Sequence, residues 1–189
     1  MYTNADVQPS FVSERLCLFP TAGTDTSWLR ELWDDVQVQD YLLDAQRVSR
    51  DRAGSALGEC PEHAKPGCGL WSIHRRHDLV FLGCAGLLPT SVAATREPSL
   101  KGLLEIMVAL GPQHWGRGYA QEAMHLLLQY GFDHLDQPLL VAVNDLPNVS
   151  SDKLLRRLGF SPYVETPGQR HPHGAHLLAR QAWKLRTAF

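Results

Sequence analysis

The pattern of apolar and polar residues predicts seven strands. Residues 11–19 alternate, with Leu16 and Leu18 on one face, which is typical of a half-buried strand. Six further apolar or β-branched runs predict strands over residues 70–74, 79–87, 103–110, 138–143, 160–165 and 176–183. The run at 103–110 is largely apolar on both faces, so we expect it to be a central strand.

Helical spacing of apolar residues predicts four helices. The first is capped by Thr24 or Asp25 and ends near Asp35, and a second lies near residues 49–57. The third covers residues 119–132 and shows the spacing of a core-facing helix. The fourth covers residues 148–158, is capped by Ser150 or Ser151, and ends at Gly159. The resulting order, βαα-βββ-α-β-α-ββ, is a mixed α/β arrangement.

A glycine-rich turn at residues 113–120 joins the central strand to the third helix. Gly116 and Gly118 let the main chain approach a ligand closely, and the helix offers unpaired N–H groups and a partial positive charge. Such a turn can bind phosphate or diphosphate. The spacing is not that of a P-loop, because no Gly-Lys-Ser/Thr follows. A dinucleotide fingerprint would need glycine in place of Gln121.

Length and composition indicate one globular domain over residues 1–189. The formal net charge of -2 gives no support for broad binding to nucleic acid or to an anionic membrane. No apolar run approaches the roughly 20 residues that cross a bilayer, and residues 1–10 do not resemble a signal peptide. We therefore expect a cytoplasmic protein whose four cysteines are reduced.

Two histidine-containing segments offer candidate metal ligands. One combines Cys60, His63 and Cys68, and the other combines His171, His173 and His176. No closely spaced fourth ligand completes the first set in the usual zinc pattern. We expect a plain loop in the first segment, a solvated hairpin in the second, and no metal in either.

Three segments together resemble one enzyme family. The turn and the helix start read Gln113-His114-Trp115-Gly116-Arg117-Gly118-Tyr119-Ala120-Gln121-Glu122-Ala123, which resembles the acyl-CoA diphosphate loop of the GNAT N-acetyltransferases. The run from Asn148 through Ser151 to Leu158-Gly159-Phe160 resembles a second GNAT segment. Ser13-Glu14-Arg15-Leu16 resembles the first strand of the RimJ/RimL-like, ribosomal-protein-type branch. The three segments span most of the chain.

The resemblance implies a single-domain GNAT fold, with a mixed, mostly antiparallel central sheet flanked by helices. Its two central strands would splay apart and admit the pantetheine arm of acetyl-CoA, which Val108 and Leu110 would hydrogen-bond through their main chain. Asn148 would hydrogen-bond the pantetheine end or the adjoining main chain, and Ser151 would lie near the thioester sulfur. The N–H groups of the turn would hold the diphosphate, namely those of Gln113, His114, Trp115, Gly116, Arg117, Gly118, Tyr119 and Ala120.

Glu105 resembles the family position that often supplies the general base, frequently through water. A base is needed because only the neutral amine has a lone pair with which to attack. Two departures from related sequences matter. Leu155 stands where several GNAT enzymes carry a tyrosine acid, so the acid is Ser151, water or nothing. Serine is a poor proton donor at neutral pH, which favours a positioning role for Ser151. Met107-Val108 replaces a frequent Gly-Tyr pair, which leaves the acceptor side open.

The resemblance implies transfer of an acetyl group from acetyl-CoA to a primary amine in a ternary complex, with a homodimer as the family expectation. The acceptor is either a protein N-terminal amine or a small polycationic amine, the latter suggested by an acidic run comprising Glu31, Asp34, Asp35, Asp40 and Asp44. A non-catalytic acyl-CoA-binding sensor on the same fold would carry the same cofactor motifs. A kinase-like nucleotide site is a third hypothesis, and melting shifts with ATP and with acetyl-CoA would distinguish it.

Overall fold

The computed structural model describes residues 8–21, 27–40, 66–90, 97–168 and 170–187. Within these ranges the chain forms one eight-stranded sheet with helices on both faces. The strands are β1 (Phe11–Val12), β2 (Leu16–Pro20), β3 (Gly69–Arg75), β4 (Phe81–Pro89), β5 (Leu104–Leu110), β6 (Leu139–Asp145), β7 (Ser161–Thr166) and β8 (His173–Ala179). The helices are α1 (Ser27–Asp34), α2 (Val36–Gln39), α3 (Tyr119–Gln129), α4 (Val149–Leu158) and α5 (Arg180–Thr187).

The sheet has the strand order β1-β2-β3-β4-β5-β6-β8-β7, and every neighbouring pair is antiparallel except β5 and β6. These two parallel strands pair at only two positions, Leu104 with Leu140 and Glu105 with Val141. Both strands continue beyond that point without pairing to each other. The predicted mixed, mostly antiparallel sheet with splayed central strands is therefore confirmed.

The sheet separates two apolar layers, because successive side chains of a strand point to opposite faces. On the first face, Leu104 and Ile106 of β5 belong to the main core together with Ala123 and Leu127 of α3. We call this the α3 face. On the opposite face, Ala109 and the half-buried Met107 belong to a cluster with side chains of α1. We call this the α1 face.

The predicted single strand at residues 11–19 is wrong, because a tight turn divides it into β1 and β2. The main-chain N–H of Ser13 donates to Leu16 O at 2.9 Å, and the Ser13 hydroxyl oxygen accepts from the Leu16 N–H at 3.1 Å. β1 then folds back on β2, so that Phe11 lies opposite Leu18. The predicted shared face is confirmed, since Leu16 and Leu18 are both fully buried.

Two of the described helices, α2 and α5, were not predicted. The predicted helix near residues 49–57 and the caps Thr24 and Asp25 lie outside the described residues. A short helix that the sequence pattern did not indicate, α2, begins where the Asp35 carboxylate accepts from the Gln37 N–H at 2.9 Å. The last predicted strand is also wrong beyond Ala179, because α5 begins at Arg180 and buries Trp183.

The predicted third helix continues beyond Gln129 through a π-helical turn over Tyr130–His134.

Every helix within the described ranges is too short or too polar to cross a lipid bilayer.

Candidate active site

The gap between β5 and β6 exposes main-chain hydrogen-bonding groups. Along β5 and its flanks, Leu103 O accepts from Thr90 N–H at 3.0 Å, and Gly111 N–H donates to Leu82 O at 2.9 Å. Main-chain groups of an antiparallel strand alternate between its two sides, so odd-numbered residues of β5 bond β4. The main-chain groups of Val108 and Leu110 therefore face the gap. An extended ligand can bond to such an edge as an added strand.

The turn after β5 is held by its own hydrogen bonds. Pro112–His114 forms a single 3₁₀ turn, in which His114 N–H donates to Gly111 O at 2.9 Å and Trp115 N–H donates to Pro112 O at 3.2 Å. The indole Nε1 of Trp115 donates to Leu110 O at 2.7 Å. Two of the eight amides predicted to bind diphosphate are thus already bonded within the turn, and so is the carbonyl of Leu110.

The amides of residues 116–120 lie at the amino end of α3. Gly116 and Gly118 have φ values of +71° and +78°, a left-handed region that favours glycine. Gly118 caps α3 without a side-chain hydrogen bond, and within the described ranges none of these five N–H groups donates to an acceptor. A Cβ on Gly116 would meet no atom within 4 Å, so the surface there is open. Unpaired N–H groups at a helix start are suited to bind an anion.

His114 is a buried residue of this turn. Burial lowers its pKa, and the positive charges of Arg117 and Arg75 lower it further, whereas a hydrogen bond with the main chain of Phe81 partly offsets them. The imidazole is therefore neutral at neutral pH and supplies no charge to an anion. The exposed Arg117 is the basic side chain within the turn itself.

On the β6 side of the gap, Asn148 caps α4. Its Oδ1 accepts from the Ser151 N–H at 3.0 Å, so the predicted cap at Ser150 or Ser151 is wrong. The Ser151 side chain is half-buried, and its hydroxyl has no partner within the described part of the chain. Leu155 is buried in the main core, so α4 presents no proton donor at that position. At the other end, Gly159 closes the helix in a left-handed conformation, as predicted.

Glu105 lies at the apex of the gap, because its pair with Val141 is the last between β5 and β6. Strand alternation places its side chain on the α1 face with Met107 and Ala109. The residue is half-buried. A carboxylate there faces the side of the sheet opposite α3, whose amino end carries the unbonded amides.

The predicted solvated hairpin at residues 171–176 is wrong for two of its histidines. His173 Nε2 lies 3.3 Å from Asp145 Oδ1, and His176 Nε2 lies 2.8 Å from Asn144 Oδ1, with all four side chains buried. β8 carries the two histidines into the sheet between β6 and β7. No group of three metal-binding side chains occurs among the described residues. Cys60 and His63 of the other candidate set lie outside the described ranges.

A further contact joins the β1–β2 turn to α3. Arg15 and Ser13 both hydrogen-bond the carboxylate of Glu122, and Arg15 also reaches the turn at Arg117. The sequence motifs contained all four residues, but nothing in their spacing indicated that they meet, since Arg15 and Glu122 are 107 positions apart.

Comparisons with known proteins agree with this geometry. A family model described as an acetyltransferase (GNAT) domain matches residues 15–161. The chain is 42% identical over 149 residues to p20, an uncharacterised N-acetyltransferase of Bacillus licheniformis, and the match covers 78% of this chain and 80% of p20. It is 30% identical over 94 residues, or 50% of this chain, to the uncharacterised protein YkkB of Bacillus subtilis strain 168, and spans about half (51%) of that relative's length.

A solved structure also matches: spermidine N-acetyltransferase from Vibrio cholerae in complex with CoA and spermine. It has a TM-score of 0.70 at 13% identity, covering 90% of this chain and 99% of that one, which is a likeness of fold. The chain belongs to the GNAT acetyltransferase family. Its placement in the RimJ/RimL-like branch stays a prediction.

Proposed function

We propose that this chain transfers an acetyl group from acetyl-CoA to a primary amine, directly, with both substrates bound at once. The observation that carries the proposal is the row of amides at residues 116–120, which lie beside the gap between β5 and β6 and have no acceptor within the described ranges. This arrangement offers an anion site next to an open strand edge. Acetyl-CoA matches both parts, since it joins a diphosphate to an extended arm that carries amides.

The donor would bind along the length of this arrangement. The diphosphate lies against the amides of residues 116–120, and the pantetheine arm bonds the N–H and C=O of Val108 and the N–H of Leu110. We do not assign the Leu110 carbonyl to the arm, because it already accepts from Trp115. Asn148 and Ser151, which follow β6, lie towards the thioester end.

The reaction requires two proton movements. Glu105 accepts a proton from the amine, directly or through water, so that the nitrogen lone pair attacks the thioester carbonyl carbon. A C–N bond forms, the C–S bond breaks, and the CoA thiolate leaves and takes a proton from Ser151 or water. Much of the acceleration would come from holding the two reactants together and from main-chain donors that face the developing oxyanion.

The acceptor is a primary amine, and the contacts of the acidic run favour a protein N-terminus over a polyamine. Asp35 is engaged in capping α2, and Asp40 lies 3.0 Å from Arg170 in an ion pair. Fewer carboxylates are then left to bind a polycation. The spermine bound in the Vibrio cholerae structure supports a polyamine acceptor instead. That protein is only 13% identical to this chain, however, so the likeness is one of fold.

Thiol release from acetyl-CoA, measured against a panel of N-terminal peptides, polyamines and aminoglycosides, tests the activity. The variant Glu105→Gln should lower kcat by about 10²- to 10⁴-fold, the usual contribution of a general base. Its affinity for acetyl-CoA should not change. Glu165→Gln removes an exposed carboxylate of β7 and is the matched control. Unchanged turnover in Glu105→Gln would exclude Glu105 as the base.

Other results would assign a different function. Tight binding of acetyl-CoA without acetylation of any amine in the panel would favour an acyl-CoA sensor. Stabilisation by ATP rather than acetyl-CoA would favour a nucleotide site.

A further inference from the structure

Arg15 makes contacts on two sides of the turn that leads into α3. Its Nε donates to Glu122 Oε2 at 2.7 Å, and its Nη2 lies 2.6 Å from the same oxygen. Its Nη1 donates to the main-chain oxygen of Arg117 at 2.9 Å. The guanidinium carbon also lies 5.0 Å from the centre of the Tyr119 ring. One side chain from the β1–β2 turn therefore bonds both the glycine turn and the first turns of the helix.

The bond to Arg117 O fixes the direction of one amide in the proposed diphosphate site. In a trans peptide the carbonyl of one residue and the N–H of the next point in opposite directions. No described peptide bond is cis, so an Arg117 carbonyl that points at Arg15 turns the Gly118 N–H away from it. Within the described ranges the Gly118 N–H has no acceptor, so it is left to bind a ligand.

The second contact compensates the charge of a carboxylate, that of Glu122, in the first turn of α3. Burial opposes ionisation of Glu122, but hydrogen bonds from Ser13 Oγ, the Arg15 N–H and the Arg15 guanidinium outweigh it and hold its pKa below the ordinary value. Glu122 is therefore charged at neutral pH. Without Arg15, its negative charge would face an incoming diphosphate with less compensation.

We propose that Arg15 is a positioning residue for the diphosphate of acetyl-CoA, acting through the Arg117–Gly118 peptide and through Glu122. The inference rests on the proposed function, because it assumes the same ligand in the same turn. Arg15 is 45% exposed in its side chain, so we expect its effect on donor affinity to exceed its effect on stability.

Two acetyl donors distinguish a role of Arg15 in positioning the diphosphate from a general loss of structure. Acetyl-CoA carries the diphosphate, whereas S-acetylpantetheine lacks it and uses only the gap between β5 and β6. In Arg15→Gln the KM for acetyl-CoA should rise about tenfold, the size expected for losing one hydrogen bond to a charged group. The KM for S-acetylpantetheine and the kcat should stay at their wild-type values.

The matched control is Arg76→Gln. Arg76 donates to Ser13 O at 3.0 Å, so it belongs to the same β1–β2 turn, but its side chain is not bonded to Arg117 or Glu122. Loss of its charge should leave both KM values unchanged. Arg15→Lys keeps the charge without the planar fork that bonds Glu122 and Arg117 separately, so it should recover stability more completely than acetyl-CoA affinity.

Each outcome decides the inference. Equal acetyl-CoA KM values in the wild type and Arg15→Gln would overturn it, as would an equal rise in KM for both donors. If Arg15→Gln does not fold, Arg15→Lys carries the same comparison. A wild type that fails to bind acetyl-CoA at all would instead refute the proposed function, and so the two failures are distinguishable.

Discussion

The indole Nε1 of Trp115 donates a 2.7 Å hydrogen bond to the main-chain oxygen of Leu110, the last residue of β5. This bond ties the glycine turn back to the strand from which it departs. The indole ring itself remains 46% exposed, so the hydrogen bond, more than burial, sets its position. Because the Leu110 carbonyl accepts this bond, the Leu110 N–H is the main-chain group of that residue left to bond a ligand in the gap.

Replacing Trp115 with phenylalanine should loosen the turn. The variant keeps an aromatic ring but removes the bond to Leu110, so the free energy of unfolding should fall by about 0.5–1.5 kcal/mol. Acetyl-CoA affinity should fall as well, because the adjoining amides are less firmly held. Tyr163→Phe, which removes the 2.8 Å bond to Ser99, is the control and should leave affinity unchanged. Equal acetyl-CoA binding by Trp115→Phe and the wild type would contradict this role.

Alanine at Gly116 should block the anion site. Gly116 and Gly102 have φ values of +71° and +84°, and a Cβ at either position meets no atom within 4 Å. Both alanine variants should therefore lose stability by about 1–2 kcal/mol, the usual strain of a left-handed residue with a Cβ. Only Gly116→Ala should lose acetyl-CoA binding, measured by calorimetry. Similar binding by the two variants would mean that the ligand lies elsewhere.

Asn148 should have two separable roles. Asn148→Ala removes the cap on α4 and should lower the free energy of unfolding by about 1 kcal/mol, whereas Asn148→Ser keeps a capping oxygen and most of the stability. If the amide also bonds the pantetheine arm, Asn148→Ser will raise the KM for acetyl-CoA while its melting temperature stays near the wild-type value. A wild-type KM in Asn148→Ser would show that Asn148 caps α4 and does not bond the pantetheine arm.

Mild acid should destabilise the fold through its buried histidines. Burial is the largest cause that lowers the pKa values of the buried His114 and His176 from 6.5. Because the unfolded chain then binds more protons than the folded chain, the free energy of unfolding is highest above pH 6.5 and falls as the pH drops towards the lowered values. Denaturant titrations between pH 7.5 and 5 measure this slope. His176→Gln should make it shallower, and an unchanged slope would assign the acid sensitivity to other groups.

Local patterns predicted the turn well because its geometry is fixed by nearby residues. Gly116 and Gly118 adopt the left-handed conformations that their lack of a Cβ permits, and α3 begins directly after them. The central strand was equally predictable, since apolar residues on both of its faces require cover on both sides.

Contacts between distant segments could not be predicted from these patterns. The burial of His173 and His176 depends on β8 lying between β6 and β7. The spacing of residues within the segment does not indicate this strand order. The same holds for Arg15 and Glu122, which meet only after the sheet forms. The turn at Ser13 that separates β1 from β2 was not predicted for another reason. The run around it alternates like a single strand, but the Ser13 hydroxyl accepts the hydrogen bond of the Leu16 N–H.

The central claim is that the amides at the start of α3 bind the diphosphate of acetyl-CoA. The most direct measurement follows the N–H resonances of Gly116 and Gly118 in nitrogen–proton correlation spectra as acetyl-CoA is added, with Gly102 as an internal reference. We predict that both resonances shift and saturate with the ligand, while that of Gly102 stays in place. Saturable binding that leaves Gly116 and Gly118 unmoved would contradict the account.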